Sequence, residues 1–389
     1  MRVPLLDLCQ QNQTLRPGLI GAFERLLSTG QFILGEEVAQ FEQQIAAMAG
    51  VRHAIGVSSG TDAILLALMA LGIGPGDEVL CPSFTFFATA GCVARVGARP
   101  VFVDSCPACF NLDMTDAARR VTAKTKAIIP VHLFGQAAAM GEVMELARKH
   151  QLAVIEDGAQ ALGAEYGGQP VGSIGHFGTF SFFPSKNLGA FGDAGMLVTN
   201  DDALAERARI LRVHGSQPKY YHQLVGGNFR LDALQAALLS VKLPHLASYS
   251  EKRQANAAYY TDRLGKIPGV AEACAPECVS HQPSSSQAKM LLPAPHARRT
   301  HIWNQYTIRV SGPGRRDALR NHLVKNEIGA EIYYPLPLHR QECFAYLGQP
   351  EPGLPQVERL SAECLSLPIY PELTRAQQDW VIEAIRSFV

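Results

Sequence analysis

Apolar residues recur at helical spacing from Leu15 through Leu19, Phe23, Leu26 and Leu27, and the pattern stops at Gly30. This predicts an amphipathic helix closed by a glycine cap. A second helix is predicted over Glu36 to Ala49 through Val38, Phe41, Ile45 and Met48, with Gly50 after it. From His53 onward the rhythm shortens. Apolar runs of strand length fall at His53 to Val57, Glu78 to Cys81, Pro100 to Asp104, Ala127 to Val131, Leu152 to Ile155, His176 to Phe183 and Met196 to Thr199. Helical stretches alternate with them at Ala63 to Leu71, Phe86 to Val96, Gly141 to His150, and from Asp201, capped by Asn200, to Gly215. Strands apolar on both faces and separated by helices describe a mostly parallel sheet covered on both sides.

Past Leu246 the pattern changes again. A helix is predicted from Ser248 to Leu264, then a Pro-, Ser- and Cys-rich stretch, then a strand from Asn304 to Val310, a helix from Arg315 to Lys325, a strand from Gly329 to Tyr334 and a last helix from Arg375 to Val389. The chain therefore divides into a large α/β unit, residues 1–245 with the N-terminal arm included, and a smaller α+β unit, residues 246–389, carrying an irregular insertion at about 268–300. A length of 389 residues suits two such units.

Composition narrows the function classes. Apolar residues at 47% and charged residues at 18% are those of a globular protein with a sizeable core. Thirty-five basic residues balance thirty-five acidic ones, so no global field draws the chain to nucleic acid or to an anionic membrane. The start, MRVPLLDLCQQNQ, lacks a signal peptide's pattern, and no run approaches the roughly 20 apolar residues of a membrane span, which implies a cytoplasmic protein. Nine cysteines, an odd number scattered through apolar segments, fit reduced thiols better than a disulfide framework. Cys106 and Cys109 have zinc-ribbon spacing, and Cys274 and Cys278 form a second pair. Nothing in the sequence gives the two pairs matching geometry, so a loop that carries cysteines is expected, and no metal.

Candidate chemistry gathers at the strand ends. The run Leu152 to Ile155 is followed by Glu156, Asp157 and Gly158, which puts carboxylates at the C-terminal end of a buried strand, where open α/β sheets bind ligands. The next apolar strand delivers Ser181 and then Lys186 to the same rim. The helix start at Ser58, Ser59, Gly60, Thr61 and Asp62 offers backbone N–H groups and the positive end of a helix dipole to a phosphate, although the same residues also make an ordinary cap. Singly, Asp157 fits a strand-end cap, Lys186 a solvated surface lysine and Phe86 a core aromatic. Jointly they suit a pyridoxal 5'-phosphate site: a lysine to bind an aldehyde, an aspartate to keep a pyridine nitrogen protonated, Gln160 one turn further on, and a phosphate cradle.

Seven motifs in this order resemble the DegT/DnrJ/EryC1/StrS sugar aminotransferases: Phe32-Ile-Leu-Gly35, Gly60-Thr-Asp-Ala63, Pro82-Ser-Phe-Thr-Phe-Phe-Ala-Thr89, Glu156-Asp-Gly-Ala-Gln160, Ser181-Phe-Phe-Pro-Ser-Lys186, Gly227-Asn-Phe-Arg-Leu-Asp232 and Tyr334-Pro-Leu-Pro-Leu-His339. The resemblance implies fold-type I, like aspartate aminotransferase, and pyridoxal phosphate that passes through pyridoxamine phosphate. It makes Lys186 the covalent anchor and the general acid/base, pairs Asp157 with the ring nitrogen and Gln160 with the phenolic oxygen, and stacks Phe86 on the ring. Gly60, Thr61, Asp62 and Ser181 would hold the phosphate, with Asn228 reaching it from the other subunit of a homodimer. His214, Lys219, Tyr220, Arg230 and His339 become substrate-binding candidates, Lys219 for a diphosphate. Gly158 and Ala194 depart from the family's usual residues.

The implied reaction is amination of a nucleotide-linked keto-sugar, with glutamate as donor, in amino-sugar biosynthesis for polysaccharides or antibiotics. Thr300-His-Ile-Trp-Asn-Gln-Tyr306 resembles the 3-keto enzymes more than the 4-keto ones. Two alternatives are a free keto-cyclitol or related carbocycle as substrate, and a non-catalytic pyridoxal-phosphate-binding regulator. The family's dehydratase branch has histidine in place of the lysine, and Lys186 argues against it.

Overall fold

The short apolar runs pair with one another into a single large sheet. In the computed structural model, which describes residues 1–273 and 288–389, β1 (His53–Val57), β2 (Glu78–Pro82), β3 (Arg99–Val103), β4 (Thr125–Ile128) and β5 (Ala153–Asp157) are followed by a small hairpin, β6 (Glu165–Tyr166) with β7 (Gln169–Pro170), and then by β8 (Phe177–Ser181) and β9 (Gly195–Thr199). The seven long strands lie in the order β1-β9-β8-β5-β4-β2-β3. Strand β9 runs antiparallel to both its neighbours and the other pairs are parallel. Both faces are covered. On one, Phe177 and Leu197 meet Ile64, Leu66 and Leu68 of the helix Gly60–Ala70. On the other, Phe180 and Met196 meet Phe41 and Ile45 of the helix Glu36–Ala49 and Leu239 of the helix Ala233–Lys242.

That last helix is absent from the sequence reading. Its apolar residues surround it on most sides, so no stripe stands out against a polar face. The helix Asp202–Arg212 is capped by Asp201, whose carboxylate accepts from Leu204 N–H at 2.9 Å, and not by Asn200, whose Oδ1 accepts from Arg52 N–H at 3.0 Å.

The C-terminal unit has its own sheet, β10 (Val270–Glu272), β11 (Met290–Leu292), β12 (Tyr306–Val310) and β13 (Cys364–Leu367), in that order. Strands β10 and β11 fall inside the stretch expected to be irregular, and β13 was not anticipated. The segment Gly329 to Tyr334 is not a strand. It touches the sheet through a single bridge from Glu331 to Ser366 and then turns inward to carry Tyr334 beneath Phe84. The N-terminal arm, grouped with the first unit in sequence, packs on the second: Val3 bridges Ile328 and is buried among the C-terminal core residues. Cys106 and Cys109 are buried beside Ala273 and Ala294, while Cys274 and Cys278 lie outside the described residues. No described helix is long and apolar enough to cross a membrane.

Strand geometry separates the two carboxylates that end β5. Neighbouring residues on a strand point to opposite faces, so Glu156 turns away from the side that Asp157 serves. Its Oε1 accepts from the N–H groups of Ile174 and Gly175 at 2.8 and 2.7 Å, and its Oε2 from Gly172 N–H at 2.8 Å and His132 Nε2 at 3.1 Å. Ala138 N–H donates to His132 Nδ1, which places the ring proton on Nε2. Glu156 is thus the organiser of the loop that enters β8 and not a ligand-facing acid. Replacing Glu156 with alanine strands three backbone donors and a histidine in a dry interior. The expected loss is about 3–5 kcal/mol of unfolding free energy, to be read from urea denaturation of the apoprotein.

Candidate active site

The rim is built by the C-terminal ends of strands that share one direction. β1 ends at the Ser58 loop, β2 at the turn that carries Phe86, β5 at Asp157 and β8 at Ser181, with Asp157 in register with Thr179 of β8. Ligands of open α/β sheets gather at such edges.

Asp157 is 4% exposed. Its Oδ2 accepts from Thr89 Oγ1 at 2.9 Å and its Oδ1 from Ala159 N–H at 3.2 Å. Burial raises its pKa above the ordinary carboxylate value, and the Thr89 and Ala159 donors and the nearby Lys186 oppose that rise. Thr89, at the start of the helix Ala88–Arg95, is a site residue to which the sequence assigned no role. Only the fold brings it against Asp157, 68 positions away.

Lys186 sits in the tight turn after β8, where its N–H donates to Phe183 O at 2.8 Å. The turn is pinned from beyond it: Asn187 Nδ2 donates to Ile302 O at 3.0 Å, and the buried Lys242 ammonium donates to Gly189 O. Loss of hydration lowers the Lys186 amine to about 8, and the carboxylate of Asp157 works against the lowering. A neutral amine is the nucleophile, so its supply rises with pH until about 8 and then levels. Reductive methylation of the apoprotein with formaldehyde and borohydride should therefore label Lys186 at a rate that flattens near pH 8, whereas labelling of a free lysine side chain in a reference peptide, of pKa ~10.4, keeps rising. Peptide mass spectrometry at several pH values reads the two profiles.

One end of the rim is made by a close approach. A Cβ on Gly60 would lie 2.7 Å from Cβ of Ser181, so only glycine lets the helix N-terminus come up beside that hydroxyl. The Ser59 hydroxyl caps the helix by accepting from Asp62 N–H at 3.1 Å. The Asp62 carboxylate accepts from the hydroxyls of Ser58 and Ser59 at 2.6 and 3.1 Å. Asp62, expected to hold phosphate, is therefore bonded inward through both its N–H and its carboxylate, and it shapes the loop. Gly60 and Thr61 stand with Ser181 at this helix N-terminus, an end whose free N–H groups favour an anion. Beside them Arg230 bridges Val57, and its buried Nε has no partner among the described residues. The departure at Gly158 has a local cause: a Cβ there would meet the Phe180 ring at 2.8 Å.

Gln160 is also placed on this rim. Its Oε1 accepts from Phe134 N–H at 2.6 Å, and its Nε2 donates to the Tyr334 hydroxyl at 3.1 Å. Phe86, in the turn after β2, is 63% exposed.

The substrate candidates divide. His339 is 4% exposed, with Nδ1 against Ser83 Oγ at 2.7 Å and Nε2 against Glu358 Oε1 at 2.9 Å. Both ring nitrogens are committed, so it clamps the Tyr334 segment to the β2 turn and does not present a nitrogen to substrate. His214, Lys219 and Tyr220 lie exposed on the excursion between the bridged residues Val213 and Asn228, with the Lys219 ammonium 5.0 Å over the Tyr220 ring. Asn228 is exposed as well. Among the described residues no hydrogen bond, ion pair or ring contact joins these four side chains to Lys186 or Asp157 of the same chain.

The donor set fits a phosphorylated pyridine aldehyde: a glycine-lined helix start beside a hydroxyl, a buried carboxylate, and a lysine held near neutrality. The comparisons with known proteins agree. The sequence model of the DegT/DnrJ/EryC1/StrS aminotransferase family matches residues 14–386. A protein of Geobacillus stearothermophilus named pleiotropic regulatory protein is 48% identical over 388 residues, which cover 100% of this chain and 99% of that one. The UDP-N-acetyl-3-dehydro-alpha-D-glucosamine 3-aminotransferase of Acidithiobacillus ferrooxidans is 42% identical over 384 residues, 99% of this chain and 97% of its own. Among solved structures, S. venezuelae DesV in complex with a ketimine intermediate superposes with a TM-score of 0.91 at 41% identity, covering 100% of this chain and 98% of that chain.

Proposed function

This chain belongs to the DegT/DnrJ/EryC1/StrS aminotransferase family, and from that premise we propose that it transfers an amino group from glutamate to C3 of a nucleotide-linked keto-sugar. It is a pyridoxal-phosphate-dependent sugar aminotransferase. The cofactor, when bound, supplies an electron-withdrawing ring and alternates between aldehyde and amine forms. The chain's residues do the rest. Lys186 anchors the cofactor and moves a proton at its Nζ, for which an amine near 8 is suited. Asp157, held by Thr89, keeps a negative charge against the ring nitrogen. Gln160 offers an N–H to the phenolic oxygen, Phe86 covers the ring face, and Gly60, Thr61 and Ser181 receive the phosphate. Arg230, whose Nε has no partner among the described residues, and Lys219 are cations suited to substrate phosphates.

The observation that carries this reading is the pairing of a buried, hydrogen-bonded Asp157 with a lysine of lowered pKa on adjacent strand ends. The A. ferrooxidans relative's name favours C3 and a nucleotide diphosphate. The test loads the protein with pyridoxamine phosphate and offers a panel of nucleotide 3- and 4-ketosugars, then glutamate. Consumption of a 3-ketosugar, with glutamate restoring the amine form, is expected; inertness toward every ketosugar overturns it. The G. stearothermophilus relative's name favours a second reading, a cofactor-binding regulator without turnover, and the same panel separates the two.

The same proposal divides the chain at about 245/246 and pairs it as a homodimer with shared sites. Support comes from the exposed Phe32, Ile33, Phe183 and Phe191, apolar surface that suits burial by a second copy, and from the exposed Asn228, whose side chain forms no hydrogen bond with Lys186 or Asp157 of its own chain among the described residues. Mixing inactive Lys186→Ala chains with Asn228→Ala chains is then expected to restore activity, because one site of each mixed pair is intact. Purified mixtures that stay as inactive as their parts argue against sharing.

A further inference from the structure

One buried hydroxyl has no part in that scheme. Tyr334 is 9% exposed, with its ring edge-on to Phe84 at 5.3 Å and stacked on Phe134 at 6.1 Å. The segment that carries it is fixed on both sides. Glu331 and Ser366 exchange backbone hydrogen bonds of 3.1 and 2.9 Å, and Leu338 N–H donates to Ser83 O at 2.9 Å next to the His339 clamp. The hydroxyl therefore has a set position.

That position, with the Phe134 N–H opposite it, sets how Gln160 is held. A backbone N–H can only donate, so the Gln160 atom 2.6 Å from Phe134 N must be the acceptor Oε1. The amide nitrogen then points the other way, and its distance to the Tyr334 hydroxyl is 3.1 Å. An amide nitrogen carries two protons. One goes to Tyr334 and the second remains for a ligand. The Phe134 anchor alone leaves the amide free to swing about one point; two anchors fix its plane. Burial keeps the phenol protonated, raising its pKa with help from the charge of Asp157 and against the Gln160 donor.

We propose that Tyr334 is a positioning residue: it holds the Gln160 amide in the one orientation in which an N–H, and not Oε1, is free for the phenolic oxygen of the cofactor. The inference rests on the role given to Gln160 above. A turned amide would set Oε1 against an electron-rich oxygen and leave the Phe134 N–H unpaired, so the arrangement resists error from both ends.

The test uses the full chain and Tyr334→Phe, which keeps the ring packing. Pyridoxamine phosphate makes no covalent bond to Lys186, so titrating it into apoprotein reads non-covalent holding alone. Tyr334→Phe is expected to bind it about fivefold to tenfold more weakly. Gln160→Ala weakens it too, and the double variant shows less than the product of the two losses. With pyridoxal phosphate bound, the pH midpoint of the visible absorbance should move upward in Tyr334→Phe, because an N–H on the phenolic oxygen favours its ionised form. Should Tyr334→Phe fail to fold, 3-fluorotyrosine placed at 334 keeps the shape and makes the hydroxyl a poorer acceptor, and the midpoint must move the same way. Unchanged affinity and midpoint in the folded variant, or independent losses in the double variant, overturn the inference while the cofactor reading stands. Wild-type apoprotein that takes up no pyridoxamine phosphate overturns the cofactor reading itself.

Discussion

Lys186→Ala is expected to lower turnover by at least about 10³-fold, since the proposed role makes Lys186 both anchor and proton carrier and general acid–base catalysis alone is worth roughly 10²–10⁴. The purified variant should lack the visible absorbance of a lysine-bound cofactor yet still take up pyridoxamine phosphate, because Gly60, Thr61, Ser181 and Asp157 are untouched. Lys186→Arg separates charge from chemistry. It keeps a cation near Asp157 but cannot give up a proton near neutral pH, so it should be nearly as inactive as the alanine variant. If the arginine variant retained a tenth of wild-type turnover, the proton-carrying role would be lost and only an electrostatic one would remain. The charge has a second effect: Lys186 now holds the carboxyl of Asp157 down against burial. Removing it should raise that carboxyl further and shift the acid limb of cofactor binding to higher pH.

Asp157→Asn is the second large effect, and its two consequences have opposite signs. The substitution keeps the shape and leaves Thr89 and Ala159 with partners, but it removes the negative charge that the proposed role sets against the ring nitrogen. A preorganised charge of this kind is worth roughly 10²–10³ in turnover, and that loss is expected in kcat more than in KM. Stability should move the other way. The folded pKa of Asp157 is raised by burial, so the ionised form is the one the fold disfavours. The stability it contributes is greatest below the unfolded pKa and falls as pH rises through the folded one. At neutral pH the asparagine apoprotein should therefore melt higher than wild type, the trade expected where a buried charge is kept for function. Thermal melts of apoprotein near pH 7 and near pH 4 check the sign. The gap between the two proteins must widen with pH; a gap that narrows would mean Asp157 is a stabilising ion pair.

These two residues were legible in the sequence because each ends a short apolar run. A strand buried on both faces needs several β-branched or aromatic residues and then a break, and Glu156-Asp157-Gly158 and Ser181 to Lys186 supply the breaks. The helix Glu36–Ala49 and the strand β1 match their expected bounds for the same local reason. Other elements carry too little local signal. Strands of three residues such as β10 and β11 are too short for periodicity, and the helix Ala233–Lys242 is apolar around most of its surface. The expected strand from Gly329 to Tyr334 has the right residues, but its neighbours in space let it pair only at Glu331.

Alone, the sequence determined which side chains lie at strand ends, since period and glycine placement act over a few residues, and it put Asp157, Ser181, Lys186 and Gly60 on one rim. It did not decide which way a side chain turns or what lies across the rim. That Glu156 serves a loop while Asp157 serves the site follows from strand alternation once the sheet's two faces are known. That His339 is a clamp and Asp62 a loop brace follows from partners the chain brings in from elsewhere. Tyr334 and Gln160 stand 174 positions apart. A hydrogen bond requires its atoms within about 3 Å, and over such a separation only tertiary packing can set that distance.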